Sequence, residues 1–97
     1  MLRFEVTVRD AADGWICEVT VRGARTTTHR VSVSPRERER YGGGEVADLV
    51  RRSFDFLLER EPNSAILTEF ALSAIETYFP EYTQAVRRPI RPPGAAV

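Results

Sequence analysis

The chain contains no lysine, one cysteine, one histidine and no apolar run long enough to cross a bilayer. Cys17 has no possible internal disulfide partner, so the fold must hold without cross-links, which suits a reducing compartment. A membrane helix needs roughly 18 consecutive apolar residues, and no stretch approaches that. Met1-Leu2-Arg3-Phe4-Glu5 alternates like a strand and lacks the apolar block of a signal peptide, so a cytoplasmic location is expected. Net charge is absent too. Fourteen basic residues balance 14 acidic ones, which removes any global field drawing the protein to nucleic acid or an anionic membrane. Every basic residue is arginine. Because acids are interleaved throughout, a GC-rich genome explains this more plainly than selection for phosphate-gripping guanidinium forks.

What is present is an ordinary globular composition: 42% apolar and 29% charged residues over 97 positions, enough for one small core. Leu2, Phe4, Val6 and Val8 alternate with Arg3, Glu5, Thr7 and Arg9, the period of a half-buried strand. Asp10-Ala11-Ala12-Asp13-Gly14 supplies turn chemistry, and Trp15, Cys17, Val19 and Val21 alternate as the second arm of a hairpin. A third strand is predicted over residues 26–33, with His29, Val31 and Val33 on one face. Each strand has a polar side, which predicts an antiparallel sheet solvated on one face.

Ser34-Pro35-Arg36-Glu37 is a helix-start signature, predicting a short charged helix over 36–41 that stops at Gly42-Gly43-Gly44. A long helix follows over 45–60, with Val46, Leu49, Val50, Phe54, Leu57 and Leu58 at three- and four-residue spacing and Phe56 widening the stripe. Glu61-Pro62 ends it. Ile66, Leu67, Phe70, Leu72, Ile75, Tyr78 and Phe79 predict further helix up to Pro80, either continuous or broken near Ala71 by a second capping box at Ser73-Ala74-Ile75-Glu76. The expected fold class is α+β: an N-terminal three-stranded antiparallel meander packed against C-terminal helices. Residues 1–82 form the single domain, and 83–97 are expected to be a flexible Arg/Pro-rich tail.

No catalytic or cofactor constellation emerges. His29 falls in register with buried valines and reads as a structural histidine, while Cys17 reads as a small buried hydrophobe. A Cys17–His29 dyad would lack an orienting third group. One cysteine and one histidine fall short of a zinc site, and Asp10 and Asp13 lack the further ligands of a calcium loop. The glycine triplet is followed by Glu45 and Val46 rather than the lysine and hydroxyl of a phosphate loop. The sheet's polar face carries arginines, but no aromatics on which bases would stack.

The run Ser53-Phe54-Asp55-Phe56-Leu57-Leu58-Glu59-Arg60-Glu61-Pro62, with the later Ile66-Leu67, Phe70, Leu72, Ile75 and Tyr78-Phe79-Pro80-Glu81-Tyr82, resembles a family of small, uncharacterised prokaryotic proteins. That likeness labels a family without implying an activity. A looser architectural likeness is to HicB-type antitoxins, whose hairpin and third strand precede a helix. The chain lacks the Pro-Asp-Leu-Pro-Gly type segment usual in that sheet.

The leading expectation is therefore a non-enzymatic protein–protein interaction protein, antitoxin-, inhibitor- or adaptor-like, with a homodimer as one arrangement. The apolar arc of the long helix exceeds what one small sheet would cover, so Phe54, Phe56, Leu57, Tyr78 and Tyr82 are the candidate partner-binding residues. The alternative is a weak RNA- or DNA-binding module using Arg30, Arg87, Arg88 and Arg91. A small enzyme built on Cys17 and His29 is the third reading. No cofactor, metal or membrane partner is expected.

Overall fold

The computed structural model describes residues 3–87. Strand β1 (Arg3–Ala11) and strand β2 (Gly14–Arg22) form an antiparallel hairpin that pairs residue for residue, from Arg3 opposite Arg22 to Ala11 opposite Gly14. Gly14 closes the turn at φ +139°, and a β-carbon there would collide with the Val33 carbonyl oxygen. Strand β3 (Thr27–Val33) continues the antiparallel order, with Val19 opposite His29 and Cys17 opposite Val31. The alternation does what its period requires. Cys17, Val19, Val21, His29, Val31 and Val33 are buried on one face, while Glu18, Arg22 and Arg30 face water on the other.

The sheet departs from the expected meander in having a fourth strand. Strand β4 (Glu69–Ala71) lies parallel to β3, so the sheet is mixed, in the order β1-β2-β3-β4. Arg30 N–H donates to the Thr68 carbonyl at 2.7 Å, and Leu72 N–H donates to the Ser32 carbonyl at 2.9 Å. The open edge of β3 thus captures a segment whose spacing reads as helix. Two helices fill the crossover. Helix α1 (Pro35–Arg40) begins with the expected capping box: Ser34 Oγ accepts from Glu37 N–H at 3.0 Å, and Glu37 Oε1 accepts from Ser34 N–H at 2.8 Å. The second oxygen of Glu37 accepts from Ser73 N–H at 2.9 Å, tying α1 to a segment far along the chain.

Helix α2 (Val46–Leu58) is covered on two sides, which corrects the expectation of surplus apolar surface. Phe54 points to the sheet, its ring 6.1 Å from Phe4, 5.5 Å from His29 and 6.3 Å from Phe70. Phe56 points instead toward the C-terminal elements, 5.8 Å edge-on from Phe79 and 5.4 Å from Tyr82. That second cover comes from helix α3 (Ala74–Tyr78) and helix α4 (Tyr82–Arg87). Helix α4 occupies positions expected to belong to a tail. Its Tyr82 and Val86, one turn apart, bury their side chains against α2, each gaining about 1.5–3 kcal/mol. The remainder of the expected tail lies outside the described residues.

Between α2 and β4 the chain makes a single 3₁₀ turn, Asn63–Ala65. Asn63 Nδ2 donates to the Arg25 carbonyl at 2.8 Å and to Thr27 Oγ1 at 2.9 Å, anchoring this turn to the start of β3. Near α3, Glu76 accepts two bonds from the Arg40 guanidinium (2.9 and 2.7 Å) and one from the Tyr41 hydroxyl (2.7 Å). Those bonds hold the Glu76 carboxyl down at about 2. Burial, then the bond to Glu76, pushes the Tyr41 hydroxyl up to about 12.

A candidate binding cleft

The five candidate partner-binding residues separate by exposure. Phe54 and Tyr82 are wholly enclosed, and Phe56 and Leu57 nearly so, within the single chain. As a free docking surface the α2 arc is therefore corrected: those side chains belong to the core. The Tyr82 hydroxyl bonds Ser53 Oγ at 2.6 Å, and Ser53 in turn donates to the Leu49 carbonyl at 2.8 Å, so Tyr82 is the donor of that pair. Burial holds its hydroxyl above the ordinary tyrosine range. The Arg60 guanidinium stacks 3.7 Å above the Phe56 ring and shields it further.

Tyr78 is different: it is 66% exposed. Only one other large apolar side chain among the described residues is exposed, Leu67 at 49%. The two share one cleft of about 260 Å³, with Leu57, Ile66, Phe70 and Phe79 contributing apolar wall. Each wall has a local cause. The end of α2 delivers Leu57, the 3₁₀ turn delivers Ile66 and Leu67, β4 turns Phe70 toward the helices, and α3 carries Tyr78. Glu61 places a carboxylate beside the cleft and makes no ion pair with any described cation. Leu67 and Glu61 were not singled out by sequence spacing. Leu67 falls on an apparent helical stripe, but it lies in the non-helical stretch between the 3₁₀ turn and β4, where its side chain is exposed. A second, broader depression lies between Val8, Asp10, Trp15, Gly44 and Val46 and is more open to solvent.

Of the nucleic-acid candidates, the two that are described, Arg30 and Arg87, are not brought together. Arg30 stands on the outer face of the sheet, 3.5 Å from Glu18, whereas Arg87 ends α4 on the helical side, close to Gly42. Arg88 and Arg91 lie outside the described residues. The Cys17–His29 pairing is absent as well. Both ring nitrogens of His29 are engaged, Nδ1 with the Leu67 carbonyl at 2.7 Å and Nε2 with Thr27 Oγ1 at 2.8 Å. Cys17 sits opposite Val31, and burial pushes its thiol up to about 11, away from nucleophilic thiolate. His29 is a strut that fixes the Leu67 backbone and so one wall of the cleft.

Among the described residues no group of three or more His, Cys, Asp or Glu side chains is placed to hold a metal, and no helix is long and apolar enough to cross a membrane. No protein-family model matches this chain, and no curated protein or solved structure is significantly similar to it.

Proposed function

We propose that this is a non-enzymatic protein–protein interaction protein, antitoxin-, inhibitor- or adaptor-like, acting in the cytoplasm through the cleft between Leu67 and Tyr78. One observation carries the reading: the only two large exposed apolar side chains among the described residues converge on one apolar cleft. Scattered exposed hydrophobes need no explanation, but two flanking a common depression mark a contact surface. At about 260 Å³ the cleft is below the roughly 300–1,000 Å³ usual for small-molecule sites. It suits one leucine- or phenylalanine-sized side chain from a partner protein, and Glu61 favours a cation beside that anchor. The engaged nitrogens of His29 and the buried, protonated thiol of Cys17 support binding over catalysis.

Panning a random peptide display library on the immobilised full chain tests this reading. The enriched peptides are expected to share an apolar residue next to Arg or Lys. Their affinity, measured by fluorescence anisotropy, is expected to fall about thirtyfold in Tyr78→Ala, the range of a contact worth about 2 kcal/mol. Leu67→Ser lowers it too, and Glu61→Gln weakens only the cation-bearing peptides. Enrichment that is absent, or indifferent to both Tyr78→Ala and Leu67→Ser, refutes the proposal.

A further inference from the structure

The sheet edge farthest from the cleft is β1, nine residues that pair on one side only among the described residues. Long edge strands in natural proteins are usually blunted by proline, a bulge or charged side chains, because their unpaired amides and carbonyls template association. Strand β1 contains no proline, and its pairing with β2 runs without a bulge. Its solvated-face charges, Arg3, Glu5 and Arg9, are of mixed sign, so they repel a like strand in some registers and attract it in another. The parity of the sheet identifies its free backbone groups. Arg30 and Ser32 turn their backbone groups toward β4, so the odd-numbered residues of β3 pair with β2. Carried across the registers, this pairs Arg3, Glu5, Thr7, Arg9 and Ala11 with β2 and leaves the amides and carbonyls of Phe4, Val6, Val8 and Asp10 aimed outward. The two-residue turn closed by Ala11 and Gly14 requires the same parity.

We infer that the occupant of this edge is a second copy of the same chain, its β1 antiparallel to the first about a two-fold axis through Thr7. A two-fold pairing keeps each residue on its own face of the sheet, so the axis must pass through a residue position. Centred on Thr7, the pairing uses the whole of Arg3–Ala11 and finds a partner for every outward backbone group. On the solvated face it sets Glu5 opposite Arg9 of the second copy and Arg9 opposite its Glu5, flanking a central Thr7–Thr7 pair. On the helical face Val6 meets Val8, both half-buried in one chain, and Phe4 meets Asp10. Centring on Val6 would set Arg3 against Arg9 twice, and centring on Glu5 would oppose two carboxylates. Only the Thr7 register aligns opposite charges along the full strand. The result is one continuous eight-stranded sheet, leaving the Leu67–Tyr78 clefts at its two far ends.

Sedimentation equilibrium of the full chain on the order of 0.1 mM, where micromolar association is populated, reads the oligomeric state. A dimer is expected. Glu5→Arg and Arg9→Glu, each checked for a native circular dichroism spectrum, weaken it about tenfold or more, and the double swap Glu5→Arg/Arg9→Glu restores it. Thr7→Cys reports register independently. Its two copies lie at a non-hydrogen-bonded site about 4.5 Å apart at Cα, within disulfide reach, so it cross-links under mild oxidation. Glu5→Cys, displaced by roughly 13 Å from its own copy, does not. A monomeric wild type overturns the inference. So does a dimer indifferent to the charge swaps, a Thr7→Cys chain that cross-links no faster than Glu5→Cys, or a β1 edge that pairs only with a foreign strand.

Discussion

Ser53 and Tyr82 offer a test of whether α4 is part of the core. Tyr82 is fully enclosed, and its hydroxyl donates to Ser53 Oγ at 2.6 Å while Ser53 donates onward to the Leu49 carbonyl. Tyr82→Phe removes the donor but leaves Ser53 bonded to Leu49, so the expected cost is about 1 kcal/mol. Ser53→Ala is the harsher change. It strands a buried phenol hydroxyl at a cost of about 1–3 kcal/mol, offset by about 0.5 kcal/mol of better helix propensity. Removing both partners substitutes an apolar contact for a polar one and is expected to cost less than the two single changes summed, with a coupling of about 1–2 kcal/mol. Tyr82→Ala opens a cavity and costs about 3–5 kcal/mol, enough to release α4. Urea unfolding followed by circular dichroism supplies the four free energies, and each 1 kcal/mol shifts the melting temperature by about 4–8 °C in a domain this size. Additive single effects, or near-zero costs for both, would place the phenol in water and undo the argument that α4 covers α2.

Three further outcomes follow from the geometry. Glu76 has its carboxyl depressed to about 2 by Arg40 first and Tyr41 second, so the stability it contributes is present above the ordinary carboxylate range and lost as pH falls through about 2. Acid titration of stability should lose that segment in Glu76→Gln, and an unchanged titration curve would contradict the assignment. The Cys17 thiol, raised from 9.0 to about 11, should react with iodoacetamide at pH 8 at least about a hundredfold more slowly in the native chain than in urea. Equal rates would mean that the strand is open. Gly14→Ala, with its β-carbon driven against the Val33 carbonyl, should cost more than about 1 kcal/mol by urea midpoint, and a smaller cost would show that the turn relaxes.

The strands and helices that are long relative to their period were legible from residues alone. The alternation over Arg3–Arg9 defines β1, and six buried apolar residues within α2 define its arc. Strand β4 was not legible because three residues carry no period. Ile66, Leu67 and Phe70 mimic helical spacing, and only the hydrogen bonds offered by β3 make the segment extended. The misjudged cover of α2 has the same origin. Counting only the sheet as its partner omitted α4, although Tyr82 and Val86 stand one turn apart and signal an apolar stripe beyond Pro80. The cleft was half legible: Tyr78 was visible as an aromatic near a helix end, but Leu67 sits on the surface because its segment is not helical. His29 and Cys17, placed on the apolar face by their register with the valines, are buried on that face.

Glutamine and glutamate ordinarily serve a capping box equally well, since one acceptor oxygen suffices. Here Glu37 uses both of its oxygens as acceptors, one for Ser34 and the other for Ser73. A carboxamide presents a single acceptor, so Glu37→Gln must forfeit one of the two attachments, and an aspartate is too short to span them. A position that looks like an interchangeable helix-start residue is chemically committed to the carboxylate, and through it the beginning of α1 and the beginning of α3 stand or loosen together.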